Sequence, residues 1–160
     1  MRTLLIEKRE EIDNVIRSCK TCFLAMSDEN VPYVLPMNFA LDGDHIILHS
    51  AQSGRMWETI NKNKNVCINW IVGEELKWQD VRVGCSYRVQ SKSVIAEGKV
   101  EFVEDFEEKT RCLELLMKQY SDRKFKFGKP SVVNVGIIKV RINNITAREF
   151  GAKPELSWKS

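Results

Sequence analysis

The sequence predicts a mainly β fold, a six-stranded antiparallel barrel with flanking helices. Three observations carry that expectation. Extended apolar runs pair around the turn clusters at residues 27–30 and 42–44, as hairpins do. Residues 93–104 alternate throughout: Val94, Ala96, Gly98, Val100 and Phe102 share one face, and Glu97, Lys99 and Glu101 share the other. Helical stretches stand isolated between hairpins, so a simple βαβ order does not fit.

The elements follow in order. Residues 7–18 form a helix, with Ile12, Val15 and Ile16 on one face and acidic residues in the early turns. Residues 22–26 are a strand, followed by a polar turn. Residues 31–40 are one strand, apolar on both faces. Pro32 and Pro36 donate nothing to a ladder, so this strand lies at an edge or carries a bulge. Residues 45–49 return as the third strand after Asp42-Gly43-Asp44. Ser53 opens a helix to residue 61, and residues 65–72 are the fourth strand. Residues 73–84, with Trp78 in a mixed polar setting, show no clear period. After the fifth strand, Asp105 caps a helix over 106–120 that turns Cys112, Leu113, Leu116 and Met117 inward. Residues 132–145 close the barrel, with Ile138, Val140 and Ile142 alternating against Lys139 and Arg141. A short tail from Gly151 holds Pro154 and Trp158.

A chain of 160 residues suits one domain, with its core over about residues 20–150. At this size roughly 70% of the unfolded surface is buried without help from disulfides. Hydrophobic residues make up 43% and charged residues 29%, ordinary values for a globular protein. The net charge of +3 is small and scattered, which argues against nucleic acid as a partner. The longest basic cluster, residues 123–129, is interleaved with Phe125 and Phe127. Such a stretch can stack single-stranded bases, but a surface loop anchored by its two phenylalanines is the simpler reading. Residues 1–9 lack a leader's apolar core, and no run approaches the roughly 20 apolar residues of a membrane helix, so a cytoplasmic protein without a membrane partner is expected. Five cysteines, an odd number, fit reduced thiols. Cys19 and Cys22 form a C-x-x-C, but a zinc site needs two further ligands at similar spacing, and the only histidines are His45 and His49. Two buried residues at a helix-to-strand junction, and no metal, are expected.

The stretch with the most chemistry runs from Val34 to Trp70. Two strands there feed a helix start that reads Ser53-Gly54-Arg55. A serine hydroxyl can cap the helix, glycine lets a ligand approach the backbone, and arginine adds a planar cation beside the positive end of the helix dipole. Together they suit a phosphate. The plainer alternatives are a surface arginine, a strand-edge His49 and a Val34 run that is ordinary core.

Four pieces carry a resemblance: PYVLPMNF at residues 32–39, HSAQSGR at 49–55, NKNKNVC at 61–67 and SVIAEGKVEFVED at 93–105. In order and spacing they resemble the FMN-binding split-barrel family related to pyridoxamine 5'-phosphate oxidase, in its nitroimidazole-resistance (Nim-type) branch, over about residues 22–149. The resemblance implies a split barrel with FMN at a homodimer interface. By position, Leu35, Pro36, Met37, Asn38 and Phe39 would line the flavin, with apolar cover from Met37 and Phe39. His49 and Ser50 would sit by the ribityl chain or phosphate, Arg55 would pair with the phosphate, and Ser93 would reach the flavin from the barrel wall. Parent oxidases carry a basic residue where Met56 stands and another near Phe39. Their loss shifts the expectation toward a reductase-like branch.

The leading functional expectation is an FMN-dependent oxidoreductase or reductase of a small molecule, nitroreductase-like or related to pyridoxamine phosphate oxidase, with no catalytic residue assigned. The alternative is a non-catalytic flavin- or haem-binding protein, in which His45 or His49 would be the axial ligand. A homodimer has independent support. Residues 31–41 are nearly all apolar, the chain holds four tryptophans, and a small barrel cannot turn all of that surface inward.

Overall fold

The computed structural model describes residues 3–152; Pro154 and Trp158 of the expected tail lie outside them. Along the chain run β1 (Thr3–Leu5), α1 (Arg9–Ser18), β2 (Cys22–Asp28), β3 (Val31–Met37), β4 (Phe39–Asp42), β5 (His45–Ser50) and α2 (Arg55–Lys62). Then come β6 (Asn65–Lys77), a 3-10 turn (Gly84–Ser86), β7 (Arg88–Val103), α3 (Phe106–Tyr120), α4 (Lys129–Asn134) and β8 (Gly136–Phe150). Every strand pair is antiparallel. The class is the expected one, a mainly β sheet with flanking helices. It counts eight strands because the run over residues 31–40 breaks at Asn38 and because β1, short and exposed, gave no alternating signal.

The sheet order is β3-β2-β6-β7-β8-β5-β4. β3 and β4 are consecutive in the chain yet lie at opposite ends of this path. The sheet must therefore curl until its edges meet at Asn38, and because those edges do not pair with each other the barrel stays split. β3 is an edge strand, as Pro32 and Pro36 require. The long β8 is shared on one side: β5 takes Gly136 to Arg141, and β1 takes Arg148 to Phe150.

Side-chain alternation gives the barrel an inner core and two unlike outer walls. Leu24, Met37, Phe39, Ile46, Leu48, Ile68, Trp70, Val94 and Val140 fill the interior. Ile12, Val15 and Ile16 of α1 and Met56 and Ile60 of α2 join them. Phe39 meets Trp70 edge-to-face at 5.5 Å and 71°, a favourable aromatic geometry. The indole N–H of Trp70 is buried without an acceptor, a cost of about 1–3 kcal/mol set against that packing.

On the outer wall of β4, β5 and β8, Ala40, Ile47 and Ile137 are covered by Cys112, Leu113 and Leu116 of α3 and by Val132 of α4. Asp105 caps α3 as expected, accepting from the Glu108 N–H at 2.8 Å. Ions then clamp the helix to the wall. Arg111 bonds Glu108 (2.8 Å) and Asp42 (2.9 Å), and Glu108 also pairs with Lys139. Residues 132–134, expected to begin the last strand, instead end α4. Pro130 in its first turn fixes a helical φ and needs no N–H partner there.

The wall of β3, β2, β6 and β7 has no such cover. Its outward rows run Pro36–Phe23–Asn69–Ile95 and Val34–Ala25–Cys67–Glu97. Phe23, Val34, Ile71 and Ile95 stand 41, 59, 39 and 41% exposed on it.

Candidate functional site

The split in the barrel frames the site. Leu35, Pro36 and Met37 end β3, Asn38 crosses, and Phe39 begins β4. Met37 and Phe39 are 8% and 0% exposed, Leu35 packs half-buried against the same core, and Pro36 and Asn38 face outward. Met37 and Phe39, expected to give a flat ligand apolar cover, turn their side chains into the core. The backbone here is itself tied. The Phe39 N–H donates to the Tyr120 hydroxyl at 2.8 Å, and that hydroxyl donates to the Lys20 carbonyl at 3.0 Å.

The start of α2 forms a second corner. Ser53 is not its cap: Gly54 holds that position with φ +100°, and no side chain caps the first turn. That φ is open to glycine and strained for other residues, and it moves the helix start one residue past the serine. The first-turn N–H groups thus keep no side-chain acceptor of their own. The Arg55 guanidinium lies 4.2 Å over the Tyr33 ring of β3, within cation–π range. None of the ion pairs among the described residues involves Arg55. Met56, next to it, is 6% exposed and belongs to the core.

Trp57 pins this helix to the end of β5. Its indole N–H donates to Ser50 Oγ at 2.8 Å, and Ser50 Oγ donates onward to the Ala51 carbonyl at 2.7 Å. The Ser50 proton is thereby committed, and its oxygen offers a ligand only an acceptor. The Trp57 ring stacks on Phe102 at 5.1 Å and 20°, and lies so close to Gly136 that a Cβ there would fall 2.2 Å from it. His49 is exposed on β5 opposite Ile137. Desolvation lowers its pKa, which favours the neutral imidazole.

The structure thus links Ser50 and the Arg55 turn through Trp57, and Arg55 reaches β3, while His49 points to the opposite face of β5, beside Ile137. Ser93 stands apart on β7, bonded through Oγ to the Asn69 amide at 3.1 Å. Two strands, β2 and β6, lie between β7 and β3 along the sheet. Two grooves open on the sheet. One of about 480 Å³ is bordered by Ala25, Asn65, Cys67, Glu97 and Asn143, and one of about 220 Å³ by Gly73, Glu75, Gln90 and Lys92. Neither includes a residue named from the sequence as a flavin contact.

Tyr33, Tyr120 and Gly136 were not singled out in sequence, because their partners lie far along the chain. Cys19 and Cys22 are both buried at the α1–β2 junction. Cys19 Sγ donates to the Val15 and Ile71 carbonyls, and burial pushes the Cys22 thiol up to about 12, so this pair is not poised for thiolate chemistry. Among the described residues no cluster of three metal-ligating side chains occurs, and no helix is long and apolar enough to cross a membrane. In the basic stretch, Phe127 packs under α3 while Phe125 is 39% exposed, so one phenylalanine anchors the loop where two were expected.

Comparison with known proteins agrees with this architecture. The chain superposes with a TM-score of 0.84 on a candidate 5-nitroimidazole antibiotic resistance protein from Bacteroides thetaiotaomicron, at 38% identity over 92% of this chain and 87% of that one. The flavocytochrome Anf3 of Azotobacter vinelandii (TM-score 0.80, 16% identity, 94% and 71% coverage) shares the fold. So does an FAD and heme binding protein of Mycobacterium smegmatis (0.83, 13%, 94% and 75%). A search of curated proteins found no match. The sequence profile of the pyridoxamine 5'-phosphate oxidase family matches residues 8–149, and the chain belongs to that family.

Proposed function

We propose that the protein is a flavoprotein that binds FMN and serves as an oxidoreductase for a small molecule, as a homodimer with the flavin between two copies. The observation that carries this reading is the α2 corner. Arg55 is held over Tyr33 beside an uncapped helix start, and Trp57 locks that start to Ser50. A phosphate there would accept from first-turn N–H groups and pair with the guanidinium. One such corner, with no dinucleotide fingerprint, favours FMN over FAD. Flavin and haem binding in the printed names of two fold relatives gives the reading context. The bare wall of β3, β2, β6 and β7 suits an isologous contact that would bring a second copy against the Pro36 edge.

Bound FMN would supply the electron or hydride transfer. The chain's part is to fix the phosphate at Arg55 and to offer backbone N–H and C=O groups at the split. The test is a titration of the apoprotein with FMN and FAD, followed by fluorescence quenching, in wild type and Arg55→Glu. FMN should bind the wild type in preference to FAD, and the variant should lose about 10- to 100-fold in FMN affinity, the worth of a charge-assisted pair. Equal affinities would remove the phosphate from this corner. A Soret band in the purified protein would point to the haem-binding alternative.

A further inference from the structure

We infer that Tyr120 is a positioning residue, whose hydroxyl ties the start of β4 to the chain just ahead of β2 and so sets the backbone of residues 37–39 against which a flavin would lie. The inference rests on the FMN reading above and names a device within it.

A curled sheet that does not close leaves backbone groups at its seam without a rung. The Phe39 N–H is one of them. It opens β4, which pairs on one side with β5 and forms the end of the sheet path. Its side chain is fully buried, so the adjoining backbone is partly shut off from water. The Lys20 carbonyl lies just before β2, the strand that pairs with β3 up to Cys22 and Met37. The Tyr120 hydroxyl sits between them, accepting from Phe39 N–H (2.8 Å) and donating to Lys20 O (3.0 Å). One oxygen replaces the missing rung. The Asn38 amide reaches the same Lys20 carbonyl at 3.4 Å, so the crossing residue leans on the same point.

Geometry limits the alternatives. Tyr120 is the last residue of α3, and the helix has a separate tie to the same region. Gln119 Nε2 donates to the carbonyls of Arg17 (3.0 Å) and Cys19 (3.4 Å). Gln119 therefore docks the helix end on the α1–β2 junction without touching residues 37–39. Tyr120 is the member of the pair whose hydroxyl reaches the seam. Without it, Phe39 N–H loses its acceptor and its tie to the chain ahead of β2.

The experiment compares wild type, Tyr120→Phe and Gln119→Ala by two readouts: amide hydrogen exchange at Phe39 in the apoprotein, and FMN affinity by fluorescence quenching. Tyr120→Phe should speed exchange at Phe39 and weaken FMN about fivefold, the worth of one net hydrogen bond. Gln119→Ala should leave both within twofold of wild type. Unchanged FMN affinity in Tyr120→Phe, with wild type binding normally, overturns the inference and leaves the FMN site standing. An equal effect in Gln119→Ala also overturns it, because helix docking and not the hydroxyl would then be responsible. A wild type that binds no flavin overturns the FMN reading and this inference together.

Discussion

The two outer walls of the barrel are made from the same alternating strands and end differently. On β4, β5 and β8, outward residues such as Ile47 and Ile137 are 0% and 1% exposed because α3 and α4 lie over them, held by the Asp42–Arg111–Glu108–Lys139 chain of charges. On β3, β2, β6 and β7, outward residues of similar hydrophobicity stay open to solvent. The helices explain the contrast: α1 and α2 add to the inner core, and α3 and α4 lie over the first wall. One wall is finished within the chain, and the other carries apolar surface of the kind proteins cover with a partner.

The sharpest way to break this comparison is to empty the finished wall. Ile47→Ala should destabilise the fold by about 2–5 kcal/mol, the usual cost of deleting buried aliphatic volume, read as a lower midpoint in urea unfolding. A change under 1 kcal/mol would mean that the helices do not pack as described.

The ionic clamp tests the same wall more gently. Bonds from Arg111 first, and then from Lys139, hold the Glu108 carboxyl at about 2, below its ordinary 4.5. A depressed carboxylate pKa stabilises the fold above the unfolded value and loses that contribution as pH falls through the folded one. Stability should thus drop between about pH 4.5 and pH 2. Allowing for screening of this partly exposed group, Glu108 accounts for on the order of 1–2 kcal/mol of the drop. Glu108→Gln should be less stable at pH 7 and show a shallower acid slope in thermal melts. Parallel slopes would remove Glu108 from the clamp.

The smallest effect on folding is expected at the open wall. Ile95→Lys should change the stability of the chain by about 0.5 kcal/mol or less. If a second copy covers this wall, the same substitution should halve the mass measured by sedimentation, from twice 18.5 kDa to a single chain. A variant that keeps the double mass would place the interface elsewhere.

These walls also show where the sequence was readable. The faces of β7 and β8 were legible from alternation, and the Asp105 cap from residue type. The break at Asn38 was not. Tyr33, Leu35, Met37, Phe39 and Leu41 point inward in an unbroken period of two, although the pairing partner changes from β2 to β5 between Met37 and Phe39. Periodicity reports the face, not the neighbour. Around the site, Arg55 was visible as a cation at a helix start, but the cap falls at Gly54, one residue past Ser53, because its positive φ takes the turn. The Ser50–Trp57–Gly136 lock and the Tyr120 bridge depend on contacts between distant parts of the chain, which local pattern does not encode.

The crossing at Asn38 also bears on how the chain finds its fold. In most curled sheets the first and last strands are far apart in sequence, and bringing them together restricts a long loop. Here the two edges are joined by one residue, so their meeting adds almost no loop-closure entropy. The search lies elsewhere, in the pairing of β5 with β8, where His45 must meet Arg141 and Ser50 must meet Gly136 across five intervening helices and strands and their loops. Folding should therefore be paced by that long-range register, as in other folds of high contact order, while the seam forms as soon as the two hairpins on either side of Asn38 exist.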